Sequence, residues 1–177
     1  MRWLGVILAG GKSRRFGQDK ALALLDGQRL IDRAIAGLRV QVDEVIVAGR
    51  TMDSVTCVPD RPAPDLGPLG GLNAGLWHGR NFGFDWVVSA PCDAPFLPPD
   101  LVAKLWSAQA PRVAATSAVI GCWPVALAEV LDQHLAACAD RSMRLWAATA
   151  GAQAIDIGAM PNINTPTDLR AVTPPRV

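Results

Sequence analysis

The stretch "WLGVILAGGKSRRFGQDK", Trp3 to Lys20, decides the reading of the fold. Its compact apolar run, Trp3 to Leu8, stops abruptly at glycines, as a short buried strand does where it gives way to a loop. The loop that follows holds Gly10, Gly11 and Gly17, together with Lys12, Arg14, Arg15 and Lys20, and is too polar for a core. Such glycines let backbone amides approach an anion closely while the basic side chains supply charge. Neither familiar phosphate fingerprint fits. The second glycine of GxGxxG is missing, and Lys12-Ser13 runs into two arginines without the glycine spacing of a Walker loop. A solvated basic turn is the alternative reading of this loop taken alone.

Outward from this stretch, "LIDRAIAGLRV" places Leu30, Ile31, Ala34, Ile35 and Leu38 on one helical face, and "DEVIVAG" returns to a buried strand. Strand, loop, helix and strand make a βαβ unit with an anion-sized loop at the carboxyl end of its first strand. The pattern continues with a strand in "SVTCVPD", a long Pro/Gly loop in "RPAPDLGPLGG" and a helix starting in "LNAGLWHGR". "FDWVVSAPCDAPFLPPD" reads as a strand running into a turn, and "PDLVAKLWSAQ" as a helix with proline in its first turn. One or two strands in "VAATSAVIGCW", helices in "PVALAEVLDQHLAACA" and "SMRLWAATAG", and a strand in "AQAIDI" follow. "NINTPTDLRAV" closes the chain, with Thr165 or Thr167 as candidate helix cap. The expected fold is an α/β single-domain three-layer α/β/α Rossmann-like sandwich with a mostly parallel sheet, whose ligand lies outside the carboxyl ends of the strands.

Composition narrows the function classes. The 177 residues, half of them hydrophobic, supply one sizeable core and imply one domain. Seventeen basic against sixteen acidic residues leave no basic stripe of the kind a nucleic-acid grip needs, so no nucleic-acid partner is expected. The first apolar run is too short for a membrane span and meets glycines, unlike a signal peptide, so no membrane partner is expected and the protein reads as cytoplasmic. Cys57, Cys92, Cys122 and Cys138 lack CxxC spacing and read as free thiols, and His78 and His134 read as structural or surface residues of helices.

Three stretches share a position after strands, which would gather them at one sheet edge. The first is the basic loop. The second, "SAPCDAPF", holds Asp93 in a stiff turn between Pro91 and Pro95, where a carboxylate can carry a divalent ion over a bound phosphate, or can simply cap its own turn. The third, "PDRPAPDLGPLGG", supplies Asp60, Asp65 and a proline-shaped loop able to crowd a planar base, or is ordinary loop surface.

Together, "LAGGKSRRFGQDK", "GPLGGL", "PCDAPF" and "NINTPTDL" resemble, in order and over nearly the whole chain, the molybdenum cofactor guanylyltransferases, which join GMP from GTP to molybdopterin. The resemblance implies that Leu8, Ala9, Gly10 and Gly11 run beneath the nucleotide, that Arg15 and Lys20 hold its phosphates, and that Gly67 with the "GPLGG" turn borders guanine. It makes Asp93 the Mg²⁺ ligand, Asp60 a nucleotide-side residue, and Asn162 and Asn164 the lining near the metal and the pterin substrate. Residues 1–100 would then be mainly the nucleotide part and 101–177 mainly the acceptor part of the single domain 1–177. It further implies GTP and molybdopterin as substrates, Mg²⁺ as cofactor, a molybdoenzyme or its chaperone as recipient, and a monomer or weak oligomer.

The chain departs from the family at three places. Phe16 replaces a usual methionine, Val47 and Gly49 stand where asparagines are common, and Ala115 to Ala118 leave no room for the Gly-Arg, His-Pro stretch that usually precedes "GCWP". The last departure raises altered pterin binding, reduced activity or a related acceptor. The competing activities are cytidylyl transfer to the same pterin and sugar-phosphate nucleotidyl transfer. A non-catalytic cofactor-binding or docking protein is the alternative of a different class. Cys92 reads as a small packing residue, Trp86 and Trp106 as packing positions, and Trp123 as core unless it touches pterin.

Overall fold

Strand β1 (Trp3–Leu8) forms where the apolar run predicts it and lies in the middle of a sheet that the rest of the chain builds on both sides. The computed structural model describes residues 1–10, 19–158 and 160. After β1 come a single 3-10 turn (Lys20–Leu22), a small hairpin of β2 (Leu24–Leu25) and β3 (Gln28–Arg29), α1 (Leu30–Arg39), β4 (Glu44–Ala48) and β5 (Thr56–Val58). Then follow α2 (Pro68–Asn81), β6 (Trp86–Pro91), α3 (Leu101–Leu105), β7 (Arg112–Ala114), β8 (Ser117–Pro124), α4 (Ala128–Ala137), α5 (Met143–Thr149) and β9 (Gln153–Ile155).

Among the described residues the main sheet has seven strands in the order β5-β4-β1-β6-β8-β7-β9. Only β8 runs antiparallel to its neighbours, so the sheet is mostly parallel, as the alternation of strands and helices implies. From β1 the chain builds outward through β4 to β5, then returns to pair β6 on the other side of β1. That reversal opens a crevice at the carboxyl ends of β1, β4 and β6.

Alternation along β1 feeds two cores. Leu4, Val6 and Leu8 face α2, α4 and α5, while Ile7 and Ala9 face α1 and α3. The α2 face is the tighter contact. Gly71, Gly75 and Gly79 recur every four residues along one side of α2, and a Cβ there would fall 2.9 Å from Leu8 Cδ2, 2.6 Å from Val6 Cγ2 and 2.9 Å from Val125 Cγ1 respectively. At Gly71 and Gly75 the helix backbone therefore rests almost directly on β1, at a distance only glycine permits, while Gly79 makes room for Val125 just after β8.

The structure corrects the expected boundaries. "GPLGG" is not a turn: Gly67 is the N-cap of α2 and Pro68 to Gly71 form its first turn, because proline suits the first helical position and gives up a donor that has no partner there. Pro98 and Pro99 stand outside α3, whose N-cap is Asp100. The β2–β3 hairpin was not anticipated, although Asp26-Gly27, both with positive φ (51° and 78°), is a signal for a two-residue turn. "VAATSAVIGCW" becomes β7 and β8, a tight hairpin joined through Ala115 and Thr116 alone. The closing helix with Thr165 or Thr167 lies outside the described residues.

Substitution Gly75→Ala should destabilise the chain by about 1 kcal/mol, as overpacking against Val6 outweighs the gain in helix propensity. Urea unfolding checks this, and with Val6→Ala in the same chain the combined loss should be smaller than the sum of the two single losses, because the added methyl fills the space that Val6 vacates.

Candidate active site

Backbone hydrogen bonds tie the strand ends into one rim. Ala9 N donates to Ala48 O at 2.9 Å, Gly49 N to Val58 O at 3.0 Å, and Cys92 N to Leu8 O at 3.2 Å. The residues that follow β1, β4, β5 and β6 are therefore held side by side. Leu8 and Ala9 bury their side chains in the core and can meet a ligand only through backbone, whereas Gly10 is exposed.

Asp93 sits in a turn closed by Ala94 N donating to Pro91 O at 3.3 Å, directly after β6. Its Oδ2 lies 2.6 Å from Lys20 Nζ, so two residues singled out from separate stretches form an ion pair. Lys20 reaches it from the 3-10 turn, whose N-cap Asp19 accepts from Ala21 N at 3.1 Å through Oδ1. The other oxygen of Asp19 pairs with Arg50 Nη2 at 2.5 Å. Cys92, next to Asp93, is packed as expected: burial pushes its thiol up to about 12, with the neighbouring Asp93 charge adding to the effect.

Asp60 follows β5 and lies over a cradle of glycines. A Cβ at Gly10 would fall 2.9 Å from its Oδ2, one at Gly49 would fall 2.8 Å from its Oδ1, and one at Gly70 would fall 3.1 Å from its Cβ. At Gly49 the φ of 80° independently excludes most side chains. Oδ1 of Asp60 is buried and has no hydrogen-bond partner among the described residues. Burial, then the charge of Asp65, raises the Asp60 carboxyl above its ordinary value of 3.8. Beside it opens a cleft of about 380 Å³ lined in part by Gly10, Gly49, Arg50, Thr51, Asp60 and Asp65. That volume suits a small ligand. Gly67, at the N-terminus of α2, is not among its lining residues.

The loop between Asp60 and α2 is held from below. Asn73, fully buried on α2, donates to Asp132 Oδ1 at 2.6 Å and to Arg61 O at 3.4 Å, while Trp77 Nε1 and Arg61 Nη2 donate to Asp132 Oδ2 at 3.0 and 3.1 Å. Burial pushes the Asp132 carboxyl up, but the donors Asn73, Arg61 and Trp77 together hold it below the usual range. These four residues, and the Asp19–Arg50 pair, escaped the sequence reading. Only Asp19, a capping residue immediately before a helical turn, carried a local signal.

Gly11, Arg15, Asn162 and Asn164, with Lys12, Arg14, Phe16 and Gly17, lie outside the described residues. Trp123 is fully buried, donates to Ser89 Oγ at 3.0 Å and lies against Trp146, with ring centroids 6.2 Å apart, which makes it core. Trp3 likewise packs against Trp86 and Trp106. The four cysteines are free, and His78 and His134 sit in α2 and α4 against Phe82 and Trp146. No described helix is long and apolar enough to cross a membrane.

Among the described residues no group of three His, Cys, Asp or Glu side chains could hold a metal. The donor set at the Lys20 end is thus Asp93, with the carboxylate of Asp19 already engaged by Arg50 and Ala21 N. It fits Mg²⁺, which takes one or two carboxylates and fills its shell with water and substrate phosphate. It does not fit a structural zinc site.

Comparison with known proteins gives these features a context. The MobA-like NTP transferase domain matches residues 5–155. The chain is 39% identical over 183 residues to the molybdenum cofactor guanylyltransferase of Rhodobacter capsulatus, covering 96% of this chain and 94% of the relative, and 35% identical to that of Acidiphilium cryptum, covering 94% and 91%. In three dimensions it is similar to the molybdopterin-guanine dinucleotide biosynthesis protein A of Archaeoglobus fulgidus, with a TM-score of 0.73 at 19% identity over 96% of this chain and 95% of that one. A CMP:2-keto-3-deoxy-manno-octonic acid synthetase shares the fold with a TM-score of 0.70 at 16% identity, covering 97% and 96%. The chain belongs to the MobA-like NTP transferase family, among the molybdenum cofactor guanylyltransferases.

Proposed function

We infer that the chain is a molybdenum cofactor guanylyltransferase: it transfers GMP from GTP to the terminal phosphate of molybdopterin and releases pyrophosphate. The observation that carries the assignment of roles is the meeting of the Lys20–Asp93 pair and the Asp60 cradle along one rim, in a chain 39% identical to such an enzyme.

A phosphate oxygen of molybdopterin attacks the α-phosphorus of GTP, forming one P–O bond as the bond to the β-phosphate oxygen breaks and its electrons leave with pyrophosphate. With a second phosphate pKa near ~6 the nucleophile is already largely a dianion at neutral pH, so the protein needs no general base. Its task is positioning and charge control. Asp93 would hold Mg²⁺, which would supply neutralisation of the triphosphate charge. Lys20 gives a mobile positive charge for the α-phosphate and the leaving pyrophosphate, and Arg15 a forked contact to the same groups. Backbone at Leu8 to Gly11 underlies the nucleotide, and Gly67 borders it from the start of α2. Asn162 and Asn164 line the acceptor side.

Asp60 is the base-side residue. An ionised carboxylate only accepts hydrogen bonds, and guanine offers adjacent N–H donors, including its 2-amino group. The buried, unpartnered Oδ1 of Asp60 awaits such donors, whose hydrogen bonds favour the charged form. Cytosine presents its single amino group there. The division into a nucleotide part, 1–100, and an acceptor part, 101–177, follows from the same reading. The two-residue link between β7 and β8 narrows the acceptor-side structure, so the pterin is held with less protein cover.

In the ligand-free chain Lys20 and Asp93 neutralise each other, so each exchanges its partner when the nucleotide and Mg²⁺ arrive. The deciding experiment is calorimetric titration of the protein with GTP and CTP in the presence of Mg²⁺. Magnesium-dependent preference for GTP is expected; equal binding of both nucleotides overturns the guanine assignment. Asp93→Ala and Lys20→Ala should each lower turnover by about two orders of magnitude or more while the thermal midpoint stays near wild type. Lys20→Gln, by freeing Asp93 of its counter-ion, should strengthen binding of bare Mn²⁺ as read by the loss of free-ion EPR signal. Asp60→Asn should weaken GTP binding yet raise the unfolding temperature. Because the Asp60 carboxyl is raised above 3.8, its ionisation costs folded stability as pH rises past that value, so the gain should be larger at pH 7 than at pH 3.5.

A further inference from the structure

Lys20 is asked to deliver a charge to a defined place, yet it stands in a helical turn of three residues, Lys20–Leu22. A single 3-10 turn has no cooperative stability of its own, and a lysine side chain on a loose backbone spreads its ammonium over several ångströms. Whatever holds the turn therefore sets where the ammonium goes. Leu22 N and Ala23 N close the turn on Asp19 O and Lys20 O, each at 3.1 Å, and Asp19 Oδ1 caps Ala21 N. Asp19 is thus the anchor, and its remaining oxygen is held by Arg50.

Arg50 is well suited to hold it. It follows Gly49, where the chain leaves β4 so close to β1 that a Cβ would fall 2.7 Å from Gly10 Cα, which gives its backbone a rigid base between β1 and the edge strand β5. Its side chain is only one-fifth exposed, so the pair with Asp19 is shielded from solvent more than an ordinary surface pair. Charges then alternate along the rim: Arg50 with Asp19 and, one residue on, Lys20 with Asp93. The first pair joins the end of β4 to the turn, and the second joins the turn to the end of β6.

We propose that Arg50 is a positioning residue for nucleotidyl transfer, acting through Asp19 to place the Lys20 ammonium rather than by binding the nucleotide itself. The proposal rests on the transfer reaction above for its effect on rate, but its structural half stands apart from it. Arg50 also lines the cleft, so direct contact with the triphosphate is the rival role that the test must separate.

The chain has three lysines, Lys12, Lys20 and Lys104, so a ligand-free sample labelled at lysine Cε shows few signals, and Lys20→Gln identifies the one of interest. Asp93→Asn marks where that signal goes when the ammonium loses its partner. At fixed pH, Arg50→Ala and Asp19→Asn, the latter keeping a side chain able to cap, should each move the Lys20 signal at least halfway to that position. A Lys20 signal unmoved in both overturns the proposal, whatever reaction the protein performs. In turnover, Arg50→Ala should lower kcat about ten- to a hundredfold with KM for GTP within twofold, as misplacement of a catalytic charge does. In a Lys20→Ala background it should cost nothing further. A full additional loss there, or a tenfold rise in KM, makes Arg50 a direct ligand instead and overturns the positioning role. If Arg50→Ala does not fold, Asp19→Asn carries both measurements. Absence of guanylyl transfer by the wild-type protein, with a Lys20 signal that moves as expected, would reject the reaction and leave the coupling of Arg50 to Lys20 intact.

Discussion

The contact on which the arrangement depends is the seating of α2 on β1 through Gly71 and Gly75. Side chains at these positions would lift the helix off the sheet. With glycine there, Leu69, Leu72 and Leu76 of α2 join the same core as Leu4, Val6 and Leu8, and the helix N-terminus comes down beside the carboxyl ends of β1 and β4. The same closeness shapes the Asp60 cradle. Gly70 and Gly71 form one wall of it, Gly10 and Gly49 another, and Arg61 N donates to Gly70 O at 3.1 Å to draw the intervening loop onto the helix.

A second theme is how the rim stores charge without a ligand. Asp93 and Asp19 each have a basic partner, and Asp60 meets its burial by a raised pKa. An anion-binding edge with unmatched cations would repel itself, and one with unmatched carboxylates would repel the nucleotide. Pairing solves both problems by leaving Asp93 and Asp19 each with its own cation. Asp60, by contrast, is held in shape by packing, with its buried Oδ1 lacking a hydrogen-bond partner among the described residues.

The far side of the loop is equally constrained. Asp132, from α4, receives donors from Asn73, Trp77 and Arg61, and the Arg61 guanidinium lies 4.4 Å from the centre of the Trp77 ring. Helices α2 and α4 are thereby locked together beneath the loop that carries Asp60 and Asp65. Removing Asp132 would strand the amide of the fully buried Asn73, which costs more than the bond itself. The cleft's wall is in this sense built from the second layer of the fold as much as from the strand ends.

Much of this was legible in the chain itself. Alternation in "WLGVIL", helical spacing in "LIDRAIAGLRV" and the strand-to-turn step at "WVVSAPCD" specify local structure because burying apolar side chains at the right period is a local requirement. The positions of Lys20, Asp60 and Asp93 after strands, and their relation to a known family, were readable for the same reason: strand ends are where parallel sheets present ligand groups. Boundaries governed by backbone chemistry were harder, as Pro68 opening α2 and the Asp26-Gly27 hairpin show. What only the tertiary structure decided is which charges meet. Asp19 and Arg50 are 31 residues apart, Asn73 and Asp132 are 59 apart, and nothing in either neighbourhood names the partner. Sequence periodicity reports which face a residue turns to the core, but the pairing of polar groups depends on how closely whole elements approach, as the 3-10 turn approaches the end of β4 at Asp19–Arg50 and α2 approaches α4 at Asn73–Asp132.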